Sequence, residues 1–232
     1  MSESLPSVEA DPYEWPFDKN WTSRNTALLS IDYQYDYFDP RGYLASKNIE
    51  LTNAAFAIAQ AAETIGWARE IGIPVVHTRQ VYHPLGQNLS KQRKAWSLKT
   101  SWVVGDEGPL GKFLIAGQEG SDLLSSLAPI GDEALVDRAA INPFINSDLH
   151  NLLSKMGIRN LIVQGGIIEG STHTAVCAAN DRGYEVMLLA DCCATLDSEY
   201  AETVKRATVL GGGLFGVVSD FATLAKATSA LT

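Results

Sequence analysis

The chain has 232 residues, enough for one large α/β domain and too few for two comfortable ones. Its 18 Lys and Arg against 27 Asp and Glu leave a formal net charge of −9, which argues against nucleic-acid binding through clustered cations. A hydrophobic fraction of 46% is ordinary for a globular protein with a sizeable core, and no apolar stretch approaches the length of a membrane span.

Residues 1–25 are rich in Pro, Trp and acids and show no period. The aromatics of D-P-Y-E-W-P-F suggest an arm packed on a single domain formed by residues 26–232. Residues 26–31 are a short apolar run, typical of a strand buried on both faces. Residues 49–71 are Ala-rich with apolar positions three and four apart, hence a helix stopped by Gly72. A strand over 73–77 follows, opened by Pro74. Residues 80–113 form a long polar connection carrying Trp96 and Trp102, the kind of loop that serves as a lid or binding loop. Strands are expected at 134–137, 160–163, 185–189 and 216–219. Helices are expected at 146–156, 172–182, 198–210 and 220–230, with Gly183 past the end of the second of these. Strand and helix alternate throughout, which predicts a three-layer α/β/α sandwich with a mostly parallel, doubly wound sheet.

The acidic N-terminus, M-S-E-S-L-P-S-V-E-A, lacks an export signal. Three cysteines, two of them adjacent (Cys177, Cys192 and Cys193), make a poor disulfide framework, so a reducing cytoplasm is the expected compartment. The four histidines and three cysteines show no metal-ligand spacing.

Two segments carry the chemistry. The run I-D-Y-Q-Y-D-Y-F (31–38) ends the first strand with Asp32. The block 165–191 ends another with a glycine pair, then Ser171, then a helix closing at D-R-G-Y. Both residues thus sit at strand ends, where ligands bind in open α/β sheets.

With V-V-H-T-R (75–79), V-D-R-A-A-I-N-P-F-I-N-S-D-L (136–149) and A-N-D-R-G-Y-E-V (179–186), these segments make the chain resemble the isochorismatase-like, or cysteine hydrolase, family over nearly its whole length. A-D-P-Y-E-W-P-F (10–17) and G-G-L-F-G-V-V-S (212–219) look most like the biuret hydrolase branch. The resemblance implies an Asp that takes a thiol proton, a Lys that orients it and a Cys that attacks an amide or ureide carbonyl. Carried over, these fall on Asp32, Arg138 and Ser171, so two of the three differ. A serine hydroxyl needs a strong adjacent base, whereas a carboxylate beside a permanent cation is a weak one. His173, two positions from Ser171 on a helix, does not share its face. The residues before Ser171 (Ile167, Ile168, Glu169 and Gly170) also depart from the small polar residues usual there, which favours natural divergence over a single replacement.

The resemblance implies a small-molecule hydrolase, most simply an amidohydrolase centred on Asp32, Arg138 and Ser171. It leaves two alternatives open: acid-catalysed vinyl-ether hydrolysis through Asp32, as in true isochorismatases, and a catalytically silent ligand-binding relative. Backbone N–H groups near Ile167, Ile168 and Ser171 are candidates for an oxyanion hole, aimed by a cis peptide expected at Gly166–Ile167. Glu169 either enters the pocket as an acceptor for an amine or faces solvent. Gln34, Tyr37 and Phe38 are candidate pocket walls, with core packing the commoner fate of the aromatics. Arg79 either binds a substrate carboxylate or pairs with an acid such as Asp36. Trp96 and Trp102 are candidates for the pocket or a subunit contact, and His77 is read as a core or supporting histidine. No cofactor or metal is expected, since the Asp/His cluster of the nicotinamidase branch is missing from the sequence. The expected partners are a small-molecule substrate and, as a family habit, further copies of the chain in a homodimer or homotetramer, with neither nucleic acid nor membrane.

Overall fold

The computed structural model describes residues 4–91 and 102–229. Strands β1 (Thr26–Ile31), β2 (Val75–Gln80), β5 (Ala134–Arg138), β6 (Asn160–Gly165), β7 (Glu185–Leu189) and β8 (Val217–Ser219) form one sheet in the order β5-β2-β1-β6-β7-β8. Every pairing in it is parallel. Between β2 and β5 lies a hairpin of two short strands, β3 (Glu107–Gly108) and β4 (Gly111–Lys112), inside the segment read as a plain connection.

The central strands are buried along their whole length because both faces of the sheet are covered. Alternation along β1 sends Ala27, Leu29 and Ile31 into one apolar layer and Leu28 into the other. The first layer meets helices α4 (Leu149–Lys155), α5 (His173–Asn180) and α6 (Ser198–Thr208) through Leu149, Leu153, Val176, Ala179 and Val204. The second meets α3 (Ala54–Glu70) and α7 (Phe221–Thr228) through Ala61, Ile65, Ala68 and Leu224. It also receives Val8, Trp15 and Trp21 from the N-terminal arm, which bridges Asp11 to Val218 of the edge strand.

Element ends shift where tertiary contacts compete with periodicity. Helix α3 starts at Ala54 rather than at residue 49, because Thr52 pairs with Thr195 and Asn53 adopts left-handed φ of 56°. Two single-turn helices, α1 (Tyr35–Phe38) and α2 (Tyr43–Ser46), lie in a stretch that sequence reading left unassigned.

Chain order reverses between β1 and β6: successive strands add on the β2 side, then cross to the β6 side. The carboxyl ends of β1 and β6 therefore flank the crevice at the topological switch point. Asp32 follows β1, and Ser171 follows β6 after one turn.

Candidate active site

Asp32 leaves β1 with φ of 56°, a conformation that costs a non-glycine residue energy and clusters at functional sites. Its N–H donates to Thr78 O at 3.0 Å, and its own carbonyl accepts from Gln34 N–H at 2.8 Å, so the turn is fixed on both sides. The Asp32 carboxylate is buried and held from below. Arg138, at the end of β5, donates Nη1 to Oδ1 at 2.6 Å and Nη2 to Oδ2 at 2.5 Å. Thr78 Oγ1 adds a bond to Oδ1 at 3.2 Å. Arg138 is itself buried and also donates Nη2 to Ile141 O at 3.0 Å.

The glycine pair after β6 is there for close approach. A Cβ on Gly165 would overlap Thr172 Oγ1, and one on Gly166 would stand 2.7 Å from Asp32 O. Beyond the pair the chain stays extended beside Ala194, with Ala194 N–H to Gly166 O at 3.0 Å and Ile168 N–H to Ala194 O at 2.9 Å. This ladder overturns two expectations. The Gly166–Ile167 peptide is trans; among the described residues the cis bonds are Asp11–Pro12 and Trp15–Pro16. The Ile168 N–H, committed to Ala194, is withdrawn from any oxyanion hole.

Asp32 and Ser171 open onto one cavity of about 310 Å³. Its remaining polar lining comes from Tyr37, Gln80 and Glu169. Its apolar walls include Trp102, Val104, Phe113, Leu114, Ile141, Ile167 and Leu196. The Tyr37 hydroxyl donates to Gln80 Oε1 at 3.3 Å, and Gln80 Nε2 donates to Tyr82 OH at 3.1 Å. Burial, then the nearby Asp32 carboxylate, pushes the Tyr37 phenol well above its ordinary value, so it remains a donor. The Ser171 hydroxyl has no hydrogen-bond partner among the described residues. His173 is no base for it: its Nε2 lies 3.9 Å from Cys177 Sγ, outside the cavity lining, and burial lowers its pKa.

Several candidates go elsewhere. Gln34 is a clamp rather than a wall: Nε2 donates to Gln80 O and Ser121 O, and its Oε1 accepts from Gln80 N–H. Phe38 packs against Tyr33 and the Gly166 backbone, and it does not line the cavity. Arg79 pairs with Asp137, at 2.9 and 2.8 Å, and with Asp122 at 2.5 Å, not with Asp36 and not with the cavity. Asp36 instead accepts Leu114 N–H at 2.9 Å and so anchors a cavity wall. His77 donates or accepts at Glu133 Oε2, 3.0 Å away, as a supporting residue. Trp96 lies outside the described residues. Sequence reasoning missed Gln80, Phe113, Leu114 and Ile141. Only Gln80 left a trace, as the polar residue closing the V-V-H-T-R strand. Among the described residues no group of three His, Cys, Asp or Glu side chains is placed to hold a metal ion, and no helix is long and apolar enough to cross a membrane.

The Isochorismatase domain family matches residues 26–222, spanning every strand of the sheet and both ends of the crevice. The chain belongs to this family. It is 28% identical over 182 residues to the isochorismatase family protein YddQ of Bacillus subtilis (strain 168), covering 78% of this chain and 84% of that one. It is 27% identical over 207 residues to ureidoacrylate amidohydrolase RutB of Azorhizobium caulinodans, covering 87% and 89%. Among solved structures, a cysteine hydrolase from Pseudomonas syringae pv. phaseolicola 1448A shares the fold with a TM-score of 0.77 at 19% identity, covering 99% of this chain and 100% of that one. Within the isochorismatase family fold, then, this chain presents an Asp–Arg pair and a serine at the crevice.

Proposed function

We propose that this isochorismatase-family chain is a small-molecule hydrolase that cleaves an amide or ureide C–N bond in the Asp32–Ser171 cavity. The observation that carries the reading is the placement of Asp32 and Ser171 at the carboxyl ends of adjacent strands, facing one cavity of about 310 Å³. The similarity to a ureidoacrylate amidohydrolase over most of both chains supports the reaction class. In this reading an oxygen nucleophile, the Ser171 hydroxyl or a water it positions, attacks the carbonyl carbon. Asp32 takes its proton, the C–N bond breaks, and the proton passes to the departing nitrogen. Where Ser171 is the nucleophile, a water then attacks the resulting ester, gives its proton to Asp32 and releases the acid as the serine oxygen takes that proton back. Arg138 is the electrostatic partner that holds Asp32 in place. A biuret-like ureide is the first substrate to try, on the resemblance of residues 10–17 and 212–219.

The test is ammonia release from biuret, ureidoacrylate, nicotinamide and related amides by the protein and its Asp32→Ala and Ser171→Ala variants. Loss of turnover in Asp32→Ala supports the reading, and intact turnover in that variant sinks it.

One observation favours a second reading. Both Asp32 oxygens accept from Arg138, and among the described residues no base is hydrogen-bonded to the Ser171 hydroxyl. A protein that binds a ligand without turning it over fits that arrangement. It predicts no ammonia from any amide, together with a saturable rise in melting temperature with some ligand. Vinyl-ether hydrolysis through Asp32 asks more of the site, since a general acid must carry a proton on an oxygen that here already accepts from a guanidinium.

A further inference from the structure

We infer that Glu169 sets the ligand preference of this cavity: on an apolar body of one shape, a cationic nitrogen group is favoured over a neutral amide, and a carboxylate is disfavoured. The inference rests on reading the cavity as the ligand site, and it concerns recognition rather than turnover.

The argument is one of charge and hydrogen bonds. Of the two acids lining the cavity, Asp32 is matched by the guanidinium of Arg138 behind it. Glu169 has no cationic partner among the described residues. Its Oε1 is fixed by the Thr195 hydroxyl and by the N–H groups of Leu196 at 3.1 Å and Asp197 at 3.3 Å. Its Oε2 is buried and, among the described residues, has no hydrogen-bond partner. A buried charged oxygen left without a donor is costly, and a ligand that brings one recovers that cost.

Among the described residues no Lys, Arg or His lines the cavity, so a carboxylate entering it meets two acids and no cation. The rest of the lining suits the remainder of such a ligand. Trp102, Phe113, Leu114, Ile141 and Leu196 supply apolar contact, and aromatic faces favour a cation further. Because three donors hold the Glu169 carboxylate in one orientation, the acceptor is preorganised for its ligand.

The test is calorimetric titration of the full chain near neutral pH with three probes of matched shape: benzamidine, benzamide and benzoate. Benzamidine is expected to bind at least about tenfold more tightly than benzoate, with benzamide between them. Glu169→Gln, which keeps an acceptor for Thr195, Leu196 and Asp197, is expected to bring the three within about threefold of one another. Benzoate binding as tightly as benzamidine, an unchanged preference in Glu169→Gln, or no binding of any probe overturns the inference. The parent protein's preference decides its direction even where the variant fails to fold. Ammonia release reports separately on hydrolysis. A cation preference without turnover leaves this inference standing and removes the proposed reaction, while turnover without the preference does the reverse.

Discussion

Arg138 grips Asp32 through two parallel hydrogen bonds, Nη1 to Oδ1 at 2.6 Å and Nη2 to Oδ2 at 2.5 Å, across the intervening strand β2. Planar fork-to-fork geometry of this kind is specific to arginine. Both side chains are almost wholly removed from solvent. Removing one partner strands a buried charge, so Arg138→Ala is expected to destabilise the fold by about 3–5 kcal/mol. Urea denaturation measures this, and an unchanged midpoint would mean that water reaches Asp32 once the guanidinium is gone.

Arg79 illustrates a residue that the sequence makes look functional and the fold makes structural. Its guanidinium joins Asp137 and Asp122, 58 and 43 residues away along the chain. Both acids are substantially exposed, and screened pairs of this kind contribute little. Arg79→Ala is expected to cost about 1 kcal/mol or less and to leave ligand affinity unchanged. Calorimetric titration with benzamide checks it; a clear loss of affinity would return Arg79 to the site.

These two arginines show what was legible in advance. The alternation of short apolar runs with helical periods identifies the sheet, because strands buried on both faces are nearly all apolar, as in β1 and β6. Asp32 and Ser171 were legible as strand-end residues inside long motifs, and Arg138 only through the resemblance to the family. The trans peptide after Gly166, the partners of Arg79 and the clamp made by Gln34 depend on contacts distant in sequence. The cavity wall was hidden for the same reason. Phe113 and Leu114 are placed by Asp36 and by a pairing of Tyr82 with Ile115, neither of which leaves a local pattern.

Asp36 makes the wall sensitive to pH. Burial pushes its carboxyl from the ordinary 3.8 up to about 6, against the opposing pull of the Leu114 and Tyr43 N–H groups. Through that window the folded chain keeps a proton that the unfolded chain has already lost. Its contribution to stability therefore falls as pH rises from about 4 to about 6 and stays low above that. Asp36→Asn keeps an acceptor for Leu114 and cannot ionise. The variant is expected to gain on the parent by roughly 1–3 kcal/mol between about pH 4 and about pH 8. Urea midpoints at the two pH values test this, and an equal difference at both would show that Asp36 does not titrate in this range.

The same Arg138 fork that stabilises Asp32 limits what Ser171 can do. Replacing Ser171 with cysteine supplies an intrinsically better nucleophile, yet Asp32 would still be engaged through both oxygens. A lysine at 138 offers a single ammonium in place of the planar fork and so releases one carboxylate oxygen toward the cavity. The pair of changes should therefore act together. Ser171→Cys alone is expected to raise amide turnover little, and Ser171→Cys with Arg138→Lys to raise it at least about 10²-fold further, the usual contribution of a positioned base. Ammonia release from an amide panel, with the rate of thiol alkylation as an independent reading of thiolate, measures the coupling. If Ser171→Cys alone matches the double variant in both readings, the fork is no obstacle and Asp32 can serve as a base while Arg138 holds it.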